Sequence, residues 1–168
     1  MDPEDADQAP EARPPLLGDL VSLCRNLNRE GARYVVIGGM AVIQAGFGRA
    51  TNDIDLLIDT SPENQEKVRR ALMALPDGAV RDMASDDLEK YAVVRVADEI
   101  VVDLMRSACG ISYEEASRMI DEVEIESTRI PFASARLLWR TKDTIRDKDK
   151  VDRAFLARLL ASRGETFE

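Results

Sequence analysis

The sequence predicts an α+β (α/β) fold, a small mixed β-sheet flanked by helices and followed by C-terminal helices. Two observations carry that expectation. Segments with apolar residues at helical spacing interleave with short apolar or alternating segments of strand length. Most of these segments end at glycine, proline or aspartate clusters, so each is read as a separate element.

The elements follow in order. In residues 15–31, Leu16, Leu20, Leu23 and Leu27 fall on one helical face, and Gly31 is placed to end the helix. Residues 33–39 (RYVVIGG) read as a buried strand stopped by Gly38-Gly39. Residues 40–47 form a short apolar helix, and residues 52–59 (NDIDLLID) a second strand. A third helix starts with Ser61 as cap and Pro62 at its first position, and stops at Pro76 with Asp77-Gly78. Residues 91–105 read as two strands joined by a tight turn at Ala97-Asp98-Glu99. Ser112 and Glu115 have the spacing of a capping box for a helix over 112–120. Residues 121–134 alternate polar and apolar and predict one more strand up to Pro131. Residues 134–162 read as helical, with a break near Asp143–Asp147. The expected organisation is an acidic disordered tail over 1–14, a core domain over 15–133, and a helical segment over 134–168 packed on that core.

Composition removes several classes of chemistry. The chain has no histidine, which excludes Ser-His-Asp and Cys-His nucleophiles and histidine-based zinc sites. Cys24 and Cys109 lack metal or redox spacing and are expected to be two small buried residues. Acid–base or metal chemistry therefore falls to carboxylates, lysine, arginine, tyrosine or cysteine. There is no apolar run of membrane-spanning length, and the N-terminus lacks a signal-peptide pattern, so a cytoplasmic location is expected. Residues 1–126 hold 13 basic and 26 acidic side chains, whereas residues 127–168 hold 10 basic and 6 acidic ones. The net charge of −9 argues against passive binding of long nucleic acid, while the basic end is suited to a nucleotide or an RNA end.

The chemistry concentrates in two strands. Successive strand side chains point to opposite faces, so Asp53 and Asp55 share a face and Ile54 points the other way. Two unpaired carboxylates side by side repel and resist desolvation. Divalent cations remove both penalties, and magnesium prefers such oxygen ligands. Asp103, inside the apolar run IVVDLM, is a third acid in an unexpected setting. If its strand lies beside that of Asp53 and Asp55, the three carboxylates converge. Such a set can hold two metals about 3.5–4 Å apart, the spacing of in-line phosphoryl displacement. One metal would sit on the triphosphate and the other would activate the attacking hydroxyl, with Asp103 as proton acceptor. Gly38-Gly39, ending a strand and opening a helix, would let the backbone approach a phosphate. Asp59 shares the strand parity but sits at the strand end beside the Ser61 cap, and is excluded from the site.

Strand, Gly38-Gly39, helix, Asp53-x-Asp55 and the later Asp103 together resemble the polymerase-beta-type nucleotidyltransferase superfamily. Residues 34–59, with Arg49 and Thr51 before the acidic pair, resemble its minimal and abortive-infection (AbiEii-like) bacterial branches. Lys142, Arg146, Lys148, Asp149 and Asp152 match the C-terminal motif of the latter. The resemblance implies a nucleotidyltransferase fold and Mg2+- or Mn2+-dependent transfer of a nucleoside monophosphate from a nucleoside triphosphate to a hydroxyl. It implies Asp53, Asp55 and Asp103 as catalytic metal ligands, and Gly38, Gly39, Arg49, Thr51, Lys142 and Arg146 as nucleotide-binding residues. The acceptor is left open among RNA, protein and small molecule, as is a toxin–antitoxin or defence role. The alternative from another class is a non-catalytic module of this fold that binds a protein partner. Pairing with acids on their own helix is the competing expectation for Lys142 and Arg146. Trp139 is expected to be a core anchor between the terminal helix and the sheet.

Overall fold

The computed structural model describes residues 11–165 and 167; the first ten residues of the predicted tail lie outside that range. The elements are α1 (Leu17–Glu30), β1 (Tyr34–Ile37), α2 (Gly38–Gln44), β2 (Asp53–Ile58), α3 (Pro62–Leu72), α4 (Asp87–Lys90), β3 (Val93–Ala97) and β4 (Val101–Met105). They continue with β5 (Ser107–Ala108), β6 (Ile111–Ser112), α5 (Tyr113–Ala116), β7 (Ile120–Ile125), β8 (Thr128–Ala133), α6 (Ala135–Thr141) and α7 (Asp147–Ser162). A 3-10 turn covers Ala79–Asp82. Six strands form one sheet in the order β3-β4-β2-β1-β8-β7, and β5 and β6 form a separate small ribbon. β2 runs parallel to β4 and β1 parallel to β8, while the remaining neighbours are antiparallel. The sheet is therefore mixed and flanked by helices, as the sequence predicts.

The two faces of the sheet have different tasks. The Tyr34 hydroxyl donates to the Asn28 side chain on α1 at 2.8 Å, so α1 covers the face that carries Tyr34 and Val36. Leu20, Leu27, Ile54, Leu56 and Leu72 are fully buried, each contributing roughly 2 kcal/mol of apolar burial. Alternation places Ile37 and its partner Asp55 on the opposite face. There α7 docks beside the loop after α2: Phe47 meets Phe155 edge-on with ring centroids 4.7 Å apart, and Leu156 and Leu160 enter the core with Leu137 and Leu138.

Local chemistry explains most of the boundaries. Gly31 takes φ 71° after α1, a left-handed conformation that glycine adopts without a Cβ clash. The Ser61 hydroxyl accepts from the Asn64 amide at the start of α3. The buried Asn64 side chain ties the ends of β1 and β2 together, accepting from Arg33 N–H at 2.7 Å and donating to the Arg33 and Asp59 carbonyls. Asp98 closes the β3–β4 turn, accepting from the backbone N–H groups of Asp77, Ala79 and Glu99. Burial pushes its pKa up, but these N–H groups outweigh burial and hold it below the usual carboxylate range.

Three local expectations are corrected and a fourth, for Trp139, is refined. Residues 121–134 are not one strand but the hairpin β7–β8, turned by Glu126 and Ser127 at φ 49° and 61°. The helix expected over 112–120 is the single turn α5. Ser112 makes no side-chain cap there, and its backbone pairs instead with Ser107 in the β5–β6 ribbon. Cys109 is exposed rather than buried, because it forms the tip of that ribbon at φ 47°; Cys24 is buried as expected. Trp139 is only partly buried, with the Arg153 guanidinium 3.8 Å from its ring centroid and the Phe167 ring 4.9 Å away. It packs against the core and also joins α6 to α7, which carries Arg153.

Candidate metal centre

Strand pairing assembles the acidic cluster. In the parallel β2–β4 register Asp55 lies opposite Asp103, and Asp53 lies two residues earlier on the same face. One oxygen from each of Asp53, Asp55 and Asp103 lies within 4.8 Å of the others. Residues some fifty positions apart in sequence thus form one set of hard oxygen donors. That donor set fits a divalent cation such as magnesium. The electrostatics point the same way. Burial, then the Asp53 and Asp103 charges, push Asp55 up to about 7, with Lys142 and Lys148 partly offsetting them. Asp53 is also raised, first by burial and then by Asp103. A cation would relieve both effects.

The glycine pair shapes this centre by leaving space. Gly38 has φ +69°, and a Cβ there would overlap the Asp55 carboxylate. A Cβ on Gly39 would overlap Thr51 and press on the Arg49 guanidinium at 3.1 Å. The glycines therefore let the Asp55 carboxylate and the Thr51 side chain lie directly against the chain at the start of α2. The Thr51 hydroxyl in turn donates to the Asp53 carbonyl at 3.2 Å. Gly38→Ala is expected to lower stability by about 2 kcal/mol, from the left-handed backbone and the displaced carboxylate. It is also expected to weaken divalent-cation binding. Denaturant melts and a Mn2+ titration check the two halves of this expectation.

The basic residues divide into held and exposed groups. Arg49 donates to Asp152 at 2.8 Å and to the Ala50 carbonyl at 2.8 Å. Buried Lys142 pairs with Asp149 at 3.2 Å and with Asp152 at 3.0 Å. Asp149 also accepts from the Thr144 hydroxyl at 2.6 Å. Arg49 and Lys142 are thus engaged by acids of the chain's own α7. Arg146 is exposed and lies 3.8 Å from Asp149. Lys148, in the first turn of α7, is exposed, and its charge reaches both Asp53 and Asp55. Asp59 pairs with Arg33 at 2.6 Å, away from the cluster.

Arg95 is the residue that sequence reasoning missed. It lies opposite Asp103 in the β3–β4 register. Its guanidinium donates to both Asp103 oxygens, at 2.9 and 3.0 Å, and stands 3.6 Å from Asp53. The expected turn at Ala97-Asp98-Glu99 would have paired position 95 with position 101; the observed connection, Asp98-Glu99-Ile100, lies one residue later and pairs it with position 103. A groove of about 740 Å³ lies elsewhere, at the β1–β8–β7 end, with Arg25, Tyr34, Glu122 and Arg129 among its walls. It contains none of the three clustered carboxylates.

Comparison with solved structures places the architecture. A crystal structure from Thermotoga maritima, described as a candidate nucleotidyltransferase, superposes with a TM-score of 0.54 over 88% of this chain and 91% of that one, at 19% identity. This chain has a nucleotidyltransferase-like fold. No family model matches the sequence, and no curated protein matches it. No helix among the described residues is long and apolar enough to cross a membrane.

Proposed function

We propose that this protein is a metal-dependent nucleotidyltransferase. It would transfer a nucleoside monophosphate from a nucleoside triphosphate to a hydroxyl, with release of pyrophosphate. The observation that carries this reading is the convergence of Asp53, Asp55 and Asp103 on two parallel neighbouring strands of a nucleotidyltransferase-like sheet. Magnesium, held by these three residues, would supply positive charge for the triphosphate and acidify the acceptor hydroxyl.

The chain's own residues have separate parts in this reading. Asp103 accepts the hydroxyl proton as the oxygen bonds to the α-phosphorus and the bond to the bridging oxygen breaks. Gly38 and Gly39 leave the Asp55 carboxylate and the Thr51 side chain room to lie against the start of α2. Arg146 and Lys148, both exposed, would meet the triphosphate, with Arg146 giving up only a 3.8 Å contact with Asp149. Arg49 and Lys142, held by Asp152 and Asp149, act as fixed positive charge behind it. Thr51 sets the backbone of Asp53. Arg49, Thr51 and the 142–152 motif favour the AbiEii-like branch within the superfamily.

Calorimetric titration of each nucleoside triphosphate, with and without Mg2+, tests the reading. Binding is expected only with Mg2+ and is expected to fail in Asp53→Asn. Binding that ignores both the metal and this substitution would move the site elsewhere. Complete absence of binding would favour the non-catalytic, partner-binding alternative.

A further inference from the structure

The geometry points to Arg95 as a resident counter-cation that occupies the metal centre and yields its place when a divalent ion enters. This inference rests on the metal reading proposed above. Asp103 is almost fully buried, with 7% of its side chain exposed, while the Arg95 side chain is 62% exposed. The buried partner is thus fixed and the exposed one is free to move. The fork uses both Asp103 oxygens, and the same guanidinium stands beside Asp53. Arg95 therefore contacts two of the three carboxylates that the metal would use, and its single positive charge offsets one of them.

A divalent ion on the same oxygens would meet a positive charge within a few ångströms, and in a partly desolvated site that repulsion is strong. Arg95 sits on β3, at the edge of the sheet. It also lines an open depression of about 270 Å³ bounded by Glu11, Pro14, Asn52, Asp53 and Val101, so the side chain has room to swing aside. Without the arginine, Asp53, Asp55 and Asp103 would repel one another with only the more distant Lys142 and Lys148 to offset them. With it, the empty centre is tolerated, and cation affinity is lowered by the competition. A further consequence is that Asp103 becomes free to accept a proton only when Arg95 has moved.

The test is a titration of the nucleotide-free protein with Mn2+, with free ion read by electron paramagnetic resonance, alongside thermal melts with and without saturating Mn2+. Wild type is compared with Arg95→Met, which removes the charge, Arg95→Lys, which keeps the charge but not the fork, and Asp53→Asn. The expected result is Mn2+ binding about tenfold tighter in Arg95→Met than in wild type, with Arg95→Lys between them. Arg95→Met is also expected to melt below wild type without metal and to gain more from Mn2+ than wild type does. A merely structural arginine would lower both melting temperatures equally and leave the affinity unchanged. Unchanged or weaker Mn2+ binding in both Arg95 variants, with wild-type binding that Asp53→Asn removes, overturns the exchange and leaves the metal reading standing. Wild-type binding that Asp53→Asn does not affect, or no binding at all, overturns both. If Arg95→Met fails to fold, the Arg95→Lys affinity decides in the same way.

Discussion

Asp55→Asn is expected to make the metal-free protein more stable and to abolish its Mg2+-dependent transfer. Burial and two neighbouring carboxylates push Asp55 up to about 7. The folded protein therefore holds a proton that the unfolded chain, with its ordinary carboxyl near 3.8, has lost. The sign follows from linkage: between about pH 4 and 7 the folded state binds more protons, so stability falls as pH rises through that window. Above it, keeping the carboxylate ionised costs roughly 2–4 kcal/mol, an order-of-magnitude figure for a coupled site. Asparagine fills the same space without the charge. The expected gain over wild type is thus near zero at pH 4 and reaches its full value near pH 8 in a metal-free buffer. Urea melts at several pH values check it, and a variant less stable than wild type at pH 8 would contradict it. Transfer is expected to fall on the order of 10²–10³-fold or more, the scale seen when one preorganised electrostatic group is removed. Opposite effects on stability and activity would mark a site strained for function.

The second large effect is expected at Lys142. Its ammonium sits between Asp149 and Asp152, and Asp152 is fully buried, with a carboxylate oxygen that has no hydrogen-bond partner among the described residues. Removing the lysine leaves two buried acids with less charge than they need. Breaking such a network by deleting one partner typically costs about 3–5 kcal/mol. For a chain of this size that corresponds to a drop in Tm of roughly 10 °C. The Lys142→Met variant, followed by thermal melting, checks it, and a drop of only a degree or two would show that the network is not holding α7. The pH sense is opposite to that of Asp55. Burial raises Asp149, but the Thr144 hydroxyl and Lys142 outweigh burial and hold it below the usual range. Its contribution is therefore present above about pH 4 and lost on acidification.

How much of this was legible in the sequence depends on whether the signal was local. Gly31, Ser61 and Pro62 act within one turn of the chain, and they mark α1 and α3 correctly. The β3–β4 hairpin was read from alternation and its turn. The β7–β8 hairpin was not, because Glu126 and Ser127 adopt positive φ without a glycine or asparagine to signal it, and the alternation runs on through the turn. The convergence of the three acids depended on β4 lying next to β2, a pairing that single-strand parity permits but does not dictate. Pairing of Lys142 and Arg146 with Asp149 was among the alternatives the sequence offered, whereas the shared partner Asp152, a hundred residues from Arg49, is seen only in the folded chain. The glycine pair was read as room for a phosphate, whereas the observed neighbours of that space are Asp55, Thr51 and Arg49.

The most direct measurement for the central claim follows the phosphorus. The purified protein is incubated with Mg2+, total RNA and cell lysate, and with nucleoside triphosphates labelled in parallel at the α- or the γ-phosphate. Transfer of a nucleoside monophosphate predicts that α-label enters an acceptor, that γ-label appears only in pyrophosphate, and that both signals vanish in Asp53→Asn and Asp55→Asn. Label entering the acceptor from the γ-position, or α-label incorporation undiminished in those two variants, would contradict the assignment of this centre.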